Sequence, residues 1–163
     1  GLIHEADSTR LMELRAALDD IFSVNLAAGA EVEAENVRGD SGRFSAGNML
    51  NDEYDSYWAS DDDVRTVSFT VTLPEQKIFN LIQLQEYIPL GQRVTSFSID
   101  VLDDDGLWRQ IAKETTIGYK RIIPVPETKA SAVRVNIEAS EACPILNGFA
   151  LYMDRFHNCP FTY

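Results

Sequence analysis

The segment Asn51–Ser60, NDEYDSYWAS, is the densest concentration in this sequence of side chains that could do chemistry. It combines carboxylates with aromatic rings, and the acidic run Asp61–Asp63 follows it directly. Carboxylates suit a calcium loop, and aromatic rings beside polar groups suit the rim of a sugar site. An EF-hand loop is excluded because it needs glycine at its sixth position, where this segment has Ser56. Three interpretations remain: another metal loop, a sugar rim, or a turn that closes the core.

Histidine and cysteine chemistry has few residues to draw on. The histidines, His4 and His157, lie near the two ends of the chain, and the cysteines are Cys143 and Cys159. Their spacing matches no common zinc site, and chain ends position a catalytic triad poorly. Two cysteines are too few for a disulfide framework, so they form one bridge or stay free.

Aromatic residues outside the acidic segment offer a second kind of chemistry, stacking on a sugar ring. Trp58 and Trp108 each lie where a turn enters a strand, and we predict that both plug the ends of the core. The alternative is that one of them stacks on a sugar. Tyr54, Tyr57 and Tyr119 are flanked by polar residues and are better placed for exposure.

The bulk composition limits the classes of function. The chain has 163 residues, 45% of them hydrophobic, which is enough for one cored domain or one domain with an appended element. Lys and Arg number 14 against 26 Asp and Glu, so the net charge of −12 repels nucleic acid and anionic lipid. No apolar run reaches the roughly 18 residues that a membrane span needs. We expect no nucleic-acid partner and no membrane insertion.

The elements that must position these residues are one helix and a series of strands. Residues 7–24 carry apolar side chains at three- and four-residue steps, which predicts an amphipathic helix with the stripe Leu11, Leu14, Leu18, Ile21 and Phe22. A lone helix must bury this stripe, either on the following domain or on a neighbour. After residue 30, short β-rich runs alternate with turns such as Asp105-Gly106, and no helical period intervenes.

The strands favour an antiparallel sandwich or barrel. Phe97, Ile99 and Val101 alternate with polar residues, the pattern of a strand with one solvent-exposed face, and residues 131–139 repeat it.

A catalytic role for the sandwich itself is not favoured, because small sandwiches more often display loops than enclose a catalytic cleft. The 26 acidic residues nevertheless offer many carboxylate pairs, so a glycosidase site is not excluded. Arg38-Gly39-Asp40 spells an adhesion tripeptide, for which chance on a glycine turn is the preferred explanation.

The segment NMLNDEYDSYWAS resembles the motif N-A-x-D-G-D-x-x-T-Y-W of discoidin-like modules, also called coagulation-factor type-C domains, which include family 32 carbohydrate-binding modules. DGLWRQIA, TTIGYKRIIPV, SAVRVNIEAS and ILNGFALYM follow in the order of that family. The resemblance covers roughly residues 30 to 153. It implies a mainly β fold, a galactose-binding-like jelly-roll β-sandwich preceded here by one N-terminal α-helix.

LIQLQEYIPLGQRVTSFSIDV, TIGYKRI and the helix HEADSTRLMELRAALDDIFSVNLAAGA are similar to the tail of family 29 glycoside hydrolases, the α-L-fucosidases. In that family such a helix ends the catalytic domain, and Asn-Leu-Ala-x-Gly-Ala leads into a C-terminal sandwich, as residues 25–30 do here. The resemblance implies an accessory domain of an enzyme that hydrolyses terminal fucose with retention. Both catalytic carboxylates would lie upstream, so none is assigned here. The alternative is a stand-alone carbohydrate-binding or adhesion module.

The type-C family often holds a structural calcium in the loop that corresponds to NDEYDSYWAS. Here the positions of the family's Asp and Thr ligands are occupied by Asn51 and Ser56, and that of its late Glu by Gly148. With two anionic ligands gone, a calcium ion at Asn51 and Ser56 would be weakly held. We therefore favour a closing turn with Trp58 in the core and expect that no cofactor is required.

The resemblance also suggests residues for two functions of the sandwich. The carbohydrate-binding candidates are Arg38, Asp40, Arg43, Tyr119 and Arg121. The candidates for an interface or hinge with the upstream catalytic domain are Glu86, Gln92 and Arg93. The structural role is slightly favoured, because no cluster of exposed aromatic and polar groups marks a sugar site.

The resemblance divides the chain into a linker helix (1–29), a discoidin-like sandwich (30–155) and a C-terminal tail (156–163). The chain begins with Gly1, so we expect a piece of a longer protein, and its first residues form no signal peptide. The expected partners are the upstream catalytic domain and glycans that contain fucose or galactose. The expected setting is periplasmic or secreted.

Overall fold

A computed structural model describes residues 11–13, 15, 16 and 20–155 of the chain. In this part, residues 11–13, 15, 16 and 20–22 are helical. Seven strands follow: β1 (Glu31–Ala34), β2 (Trp58–Ala59), β3 (Val67–Glu86), β4 (Val94–Leu102), β5 (Trp108–Glu114), β6 (Arg121–Ser140) and β7 (Ile145–Tyr152). Every strand pair is antiparallel. The predicted fold class, a mainly β jelly-roll-like sandwich preceded in the chain by one helix, is confirmed.

The two longest strands pass through both layers of the sandwich. The hydrogen-bonded order is β2-β7-β3-β6-β4-β5, with β1 on the other edge of β3. The register between β3 and β6 shifts between Thr72 and Lys77, where Pro74 cannot donate to the ladder. One layer therefore contains β1, β4, β5 and one half of each long strand. The other contains β2, β7 and the remaining halves.

The core lies between these layers, where the predicted alternation places it. Phe97, Ile99 and Val101 of β4 are fully buried, as are Val133 and Val135 of β6. Trp58 is also fully buried, packs on Phe69 with ring centroids 5.4 Å apart, and donates from Nε1 to the Asn36 carbonyl at 3.0 Å. NDEYDSYWAS thus contributes a core tryptophan, as predicted.

The prediction for Trp108 was wrong, because its side chain is 37% exposed and does not plug the core. It begins β5 directly after the Asp103–Leu107 turn, in which the Asp103 carboxylate accepts from the N–H groups of Asp105 and Leu107. Gly106 takes a positive φ of 77° there. This turn places the indole on the outer face of the sheet, a direction that the turn sequence alone does not reveal.

The C-terminal end of the helix packs on the sandwich. Ile21 is buried with Leu81, Ala150 and Tyr152, and Phe22 meets the Tyr152 ring edge-on at a centroid distance of 4.9 Å. Toward the start of the stripe, Leu11 is 63% exposed and the neighbouring Met12 70%. The helix therefore folds back at one end and leaves apolar side chains uncovered at the other. Leu14 and Leu18 lie outside the described residues.

The chain leaves the helix through a fixed connection. The Asn25 side-chain oxygen accepts from the backbone N–H of Ala27 at 2.9 Å and of Leu151 at 3.0 Å. The N–H of Leu26 donates to the Leu151 carbonyl at 2.8 Å, and Ala27 is fully buried in the main core. The segment after the helix is thus bonded directly to β7.

Several predictions concern other parts of the chain. His4, His157, Cys159 and the predicted tail 156–163 lie outside the described residues. The boundary at residues 29 and 30 stays a prediction. No helix among the described residues is both long and apolar enough to cross a membrane.

Candidate functional site

The aromatic residues of NDEYDSYWAS build a ladder at one end of the sandwich. The ring of Tyr57 stacks on Tyr87 with centroids 4.6 Å apart, between Phe44 at 5.8 Å from Tyr57 and Tyr54 at 5.6 Å from Tyr87. The Tyr87 hydroxyl donates to the Asp55 carboxylate at 2.6 Å. The hydrogen bond favours the protonated phenol and is the main reason that the pKa of Tyr87 is raised to about 12; burial of the phenol adds to the effect.

Arg38 is drawn to this end by the acidic run. Its guanidinium forms an ion pair with Asp62, which is the main cause of the raised pKa of Arg38. The Asp61 carboxylate accepts from the backbone N–H of Gly39 at 2.9 Å and from the Asn36 amide at 3.1 Å. These two bonds lower the pKa of Asp61, since they favour the ionised form. Part of the carboxylate cluster therefore orders the loop that carries Arg38.

Arg38 and Arg93, predicted for different functions, meet at the same thiol. Arg38 Nη2 donates to Cys143 Sγ at 3.2 Å, and Arg93 Nη1 donates to the same atom at 3.0 Å. Cys143 is 3% exposed and free. The arginines flank a cavity of about 290 Å³ lined by Arg38, Phe44, Tyr57, Ala59, Asp62, Leu90, Arg93 and Ile145, which we call the groove.

Most of the hydrogen-bonding capacity of Arg93 is used inside the protein. Nε and Nη2 both donate to the Leu90 carbonyl, at 3.2 and 3.0 Å, and Nη1 donates to the Cys143 carbonyl at 2.9 Å. Such a set of bonds fixes the loop 88–93 against the segment that precedes β7. The main role of the Arg93 guanidinium in the groove is therefore to connect these two loops.

Glu86, predicted at a domain interface, is 1% exposed. Oε1 accepts from the backbone N–H groups of Arg93 and Val94, both at 2.9 Å, and Oε2 accepts from Gly118 at 2.8 Å. The carboxylate therefore joins the loop before β4 to the loop before β6. Gln92, beside it in the chain, is exposed, so a partner would reach this end through Gln92 rather than Glu86.

The remaining sugar-binding candidates are more open. Asp40 and Arg43 are exposed, and Arg43 lies over the Phe44 ring with its guanidinium carbon 5.4 Å from the centroid. Tyr119 is 61% exposed on the loop that Glu86 anchors at Gly118. Arg121 pairs with Glu114 at 2.7 Å and donates to the Thr116 carbonyl at 3.0 Å. The structure thus brings the Arg38 loop together with Arg93, while Arg121 has its own partners on β5 and the following loop.

The calcium that the resemblance implies does not fit the residues present. No group of three or more His, Cys, Asp and Glu side chains that could hold a metal ion occurs among the described residues. The Asn51 amide donates to Asn48 Oδ1 at 3.3 Å and to Ser56 Oγ at 3.2 Å, so these oxygens face a donor instead of a cation. A side chain at Gly148, where the family has Glu, would collide with the Gln85 amide. No step is therefore assigned to calcium.

A second polar surface was missed by sequence reasoning. Across the outer face of the sheet, Asp100 Oδ2 accepts from Arg134 Nη2 at 3.0 Å and from Asn136 Nδ2 at 2.9 Å, and Ser68 donates to Asn136 Oδ1 at 2.7 Å. With Thr70, which is paired with Arg134 in the β3–β6 register, these residues form what we call the polar strip. The alternation along β4 and β6 indicated which face of each strand is exposed to solvent. It did not indicate that the two strands pair with each other.

Comparison with known proteins gives one family and several relatives. The model of the F5/8 type C domain matches residues 31–152. Two relatives, from Oryza sativa subsp. japonica and Arabidopsis thaliana, are 37% and 30% identical over 96% of this chain, and the names of both include the words alpha-L-fucosidase 1. The chain spans about 30% of the length of these relatives.

A solved structure extends this similarity to three dimensions. The structure of a GH29 fucosidase of Ruminococcus gnavus in complex with fucose is 27% identical to the chain, with a TM-score of 0.86. The match covers 94% of this chain and 31% of that one. Coverage this high includes described helical residues as well as the sandwich.

Proposed function

The chain belongs to the F5/8 type C domain family, and from this premise we propose that it is the C-terminal accessory domain of an α-L-fucosidase. Its work there is structural: the sandwich docks on the helix that ends the catalytic domain and buttresses that domain. The enzyme would release terminal fucose from glycans with retention, through two carboxylates that lie outside this chain. The proposed setting is periplasmic or secreted.

The observation that carries the proposal is the fixed connection between helix and sandwich. Asn25 bonds to β7, and Ile21 and Phe22 pack on its outer face, so the sandwich cannot swing freely about the helix. A flexible tether would suit a module that searches for sugar independently. A fixed one suits a buttress, and the exposed Leu11 and Met12 offer apolar surface to a domain on the far side of the helix.

The proposal is tested on the full-length protein that contains this sequence. We expect it to release 4-nitrophenol from 4-nitrophenyl α-L-fucopyranoside, and we expect Asn25→Ala to lower the temperature at which activity is lost by several degrees. Asn36→Ala, which removes the side-chain bonds to the backbone N–H and the carboxylate of Asp61 between β2 and β3, is the matched control. Absence of fucosidase activity contradicts the enzyme assignment. Equal effects of the two variants on the inactivation temperature contradict the special role of the connection.

Carbohydrate binding stays a second prediction for the end of the sandwich that carries the loops of Arg38, Arg93 and Tyr119, which we call the loop end. The exposed Tyr119, Asp40 and Arg43 support it, since an aromatic ring and charged groups can together hold a sugar. The internal bonds of Arg93 and Arg121 weigh against it, because donors already paired inside the protein are not free for hydroxyl groups. Glycans with fucose or galactose are the proposed ligands for this site.

A further inference from the structure

The polar strip extends across paired strands in register. Thr70 of β3 and Asp100 of β4 both lie opposite Arg134 of β6, and Ser68 and Ser98 lie opposite Asn136 in the next row. Residues two apart in a strand share a face, so both rows point outward while Phe69 and Ile99 point into the core. The strip is thus a continuous polar band on the sheet, separate from the loop end.

The hydrogen bonds within the strip hold its side chains in one arrangement. Asp100 Oδ2 joins Arg134 to Asn136, Asn136 also donates to Ser98 Oγ at 3.2 Å, and Ser68 completes the row. Side chains already fixed by their neighbours lose little conformational entropy when a ligand binds. The polar strip is therefore preorganised for ligand binding.

Some hydrogen-bonding groups in and beside the polar strip have no partner within the described residues. Within the described residues, Thr70 and Glu33 make no side-chain hydrogen bond, and Arg134 Nη1 donates to no protein acceptor. These groups border a concavity of about 470 Å³ lined by Glu33, Ala34, Glu35, Ser68, Thr70, Arg134 and Asn136. Six of these seven residues are polar, whereas the centre of a protein–protein interface is depleted in charge. A hydroxyl-rich ligand fits this lining better than a protein does.

Trp108 supplies an aromatic surface at one end of the band. Its ring lies 4.3 Å from the guanidinium carbon of Arg134, a cation–π contact that fixes the indole beside the strip. The indole is 37% exposed, so part of its apolar surface is open to stack on a sugar ring. The polar groups and the aromatic surface thus face the same ligand.

We propose that this outer face of the sheet binds an uncharged oligosaccharide that lies across the strands from the concavity to Trp108. Strands about 4.8 Å apart make the path from β1 to β5 roughly 19 Å, long enough for several sugar units. The carboxylates of Glu33, Glu35 and Asp100 outnumber the single guanidinium of Arg134, so an anionic glycan is repelled. The proposal does not depend on the fucosidase assignment.

The test is an NMR titration of the ¹⁵N-labelled chain, followed at its two indole N–H peaks. The neutral probes are cellopentaose, mannopentaose and a fucosylated xyloglucan oligosaccharide, and polygalacturonate is the anionic probe. We expect at least one neutral probe to shift the Trp108 peak saturably, while the peak of Trp58, bonded to Asn36 in the core, stays in place. A Trp108 peak that no neutral probe moves at millimolar concentration overturns the proposal. So does polygalacturonate that binds as well as the neutral probes.

Two variants and a control locate the site. Trp108→Ala should weaken binding of the probe about tenfold or more. Thr70→Ala, which removes one half-buried hydroxyl that lines the concavity, should weaken it about threefold. Tyr119→Ala removes an exposed aromatic from the loop end and should leave the affinity that is read from the Trp108 peak unchanged. If Tyr119→Ala weakens binding and Thr70→Ala does not, the oligosaccharide binds at the loop end and the strip is not its site.

Discussion

The groove combines arginine, carboxylate and aromatic residues, and so does the polar strip together with Trp108 beside it, yet the two surfaces use their arginines differently. In the groove, Arg93 donates hydrogen bonds to the main-chain carbonyls of Leu90 and Cys143. In the strip, Arg134 pairs with one side chain, Asp100, and keeps Nη1 open beside an exposed tryptophan. The partners of a guanidinium thus distinguish an arginine that holds loops together from one that can contact a ligand.

The largest expected effect sharpens this comparison at two carboxylates. Glu86→Ala, beneath the groove, removes the acceptor of three backbone N–H groups and should lower the free energy of unfolding by about 3 kcal/mol or more. Glu33→Ala, beside the strip, should change it by less than about 0.5 kcal/mol. Urea unfolding followed by far-UV circular dichroism measures both. Similar losses in the two variants would break the distinction between the surfaces.

The two arginines provide the next contrast. Arg93→Met should cost about 2 kcal/mol of stability, because the Leu90 and Cys143 carbonyls lose a charged donor. Arg134→Met should cost about 1 kcal/mol or less, since its ion pair with Asp100 is partly solvated, with side-chain exposures of 33% and 14%. The same unfolding assay applies, with Met keeping much of the buried stem in both variants. A greater loss for Arg134→Met would contradict the assignment of roles.

A smaller effect concerns acid stability at the Arg38 loop. Since the pKa of Asp61 is lowered in the folded protein, its bonds to Gly39 and Asn36 stabilise the fold above the ordinary Asp pKa of about 4. This contribution shrinks as the pH falls from that value through the folded pKa. The melting temperature of the wild type should therefore fall further than that of Asp61→Asn between pH 5 and pH 3. Asp63→Asn, its exposed neighbour, is the control, and identical pH profiles for all three proteins would refute this role.

The smallest effect is at Tyr87, on the aromatic ladder. Its pKa of about 12 means that the bond to Asp55 stabilises the fold below the ordinary tyrosine pKa of about 10 and is lost as the pH rises from there toward 12. Tyrosinate absorbance of the wild type minus that of Tyr87→Phe should give a midpoint near 12. In an Asp55→Asn background the midpoint should move down toward 10. A midpoint near 10 in the wild type would show that Asp55 does not hold the phenol.

Much of the fold could be predicted from the sequence because local patterns carry it. Alternation along β4 and β6 marked the core face, and Asp105-Gly106 marked a turn. Trp108 was misplaced because the same turn is compatible with either direction of the indole. Arg134 was missed because its role depends on the pairing of β6 with β3 and β4, which are 34 or more residues away in the chain. Long-range pairing, not local composition, determines the strip.

The candidate residues at the loop end show the same limit. The side-chain type of Arg38 suggested binding, and the fucosidase-like string around Glu86 and Arg93 suggested an interface. Neither a side-chain type nor a resemblance tells which atoms are already bonded. The buried carboxylate of Glu86 and the convergence of two arginines on Cys143 appear only in three dimensions.

One measurement separates the two surfaces most directly: the ¹⁵Nε–H peaks of Arg38, Arg93 and Arg134, recorded together while a neutral oligosaccharide is added. If the strip is the binding surface and the groove is a connector of loops, the Arg134 peak shifts saturably and the Arg38 and Arg93 peaks stay in place. Shifts at Arg38 and Arg93 with a stationary Arg134 peak would contradict the account and place the sugar at the loop end.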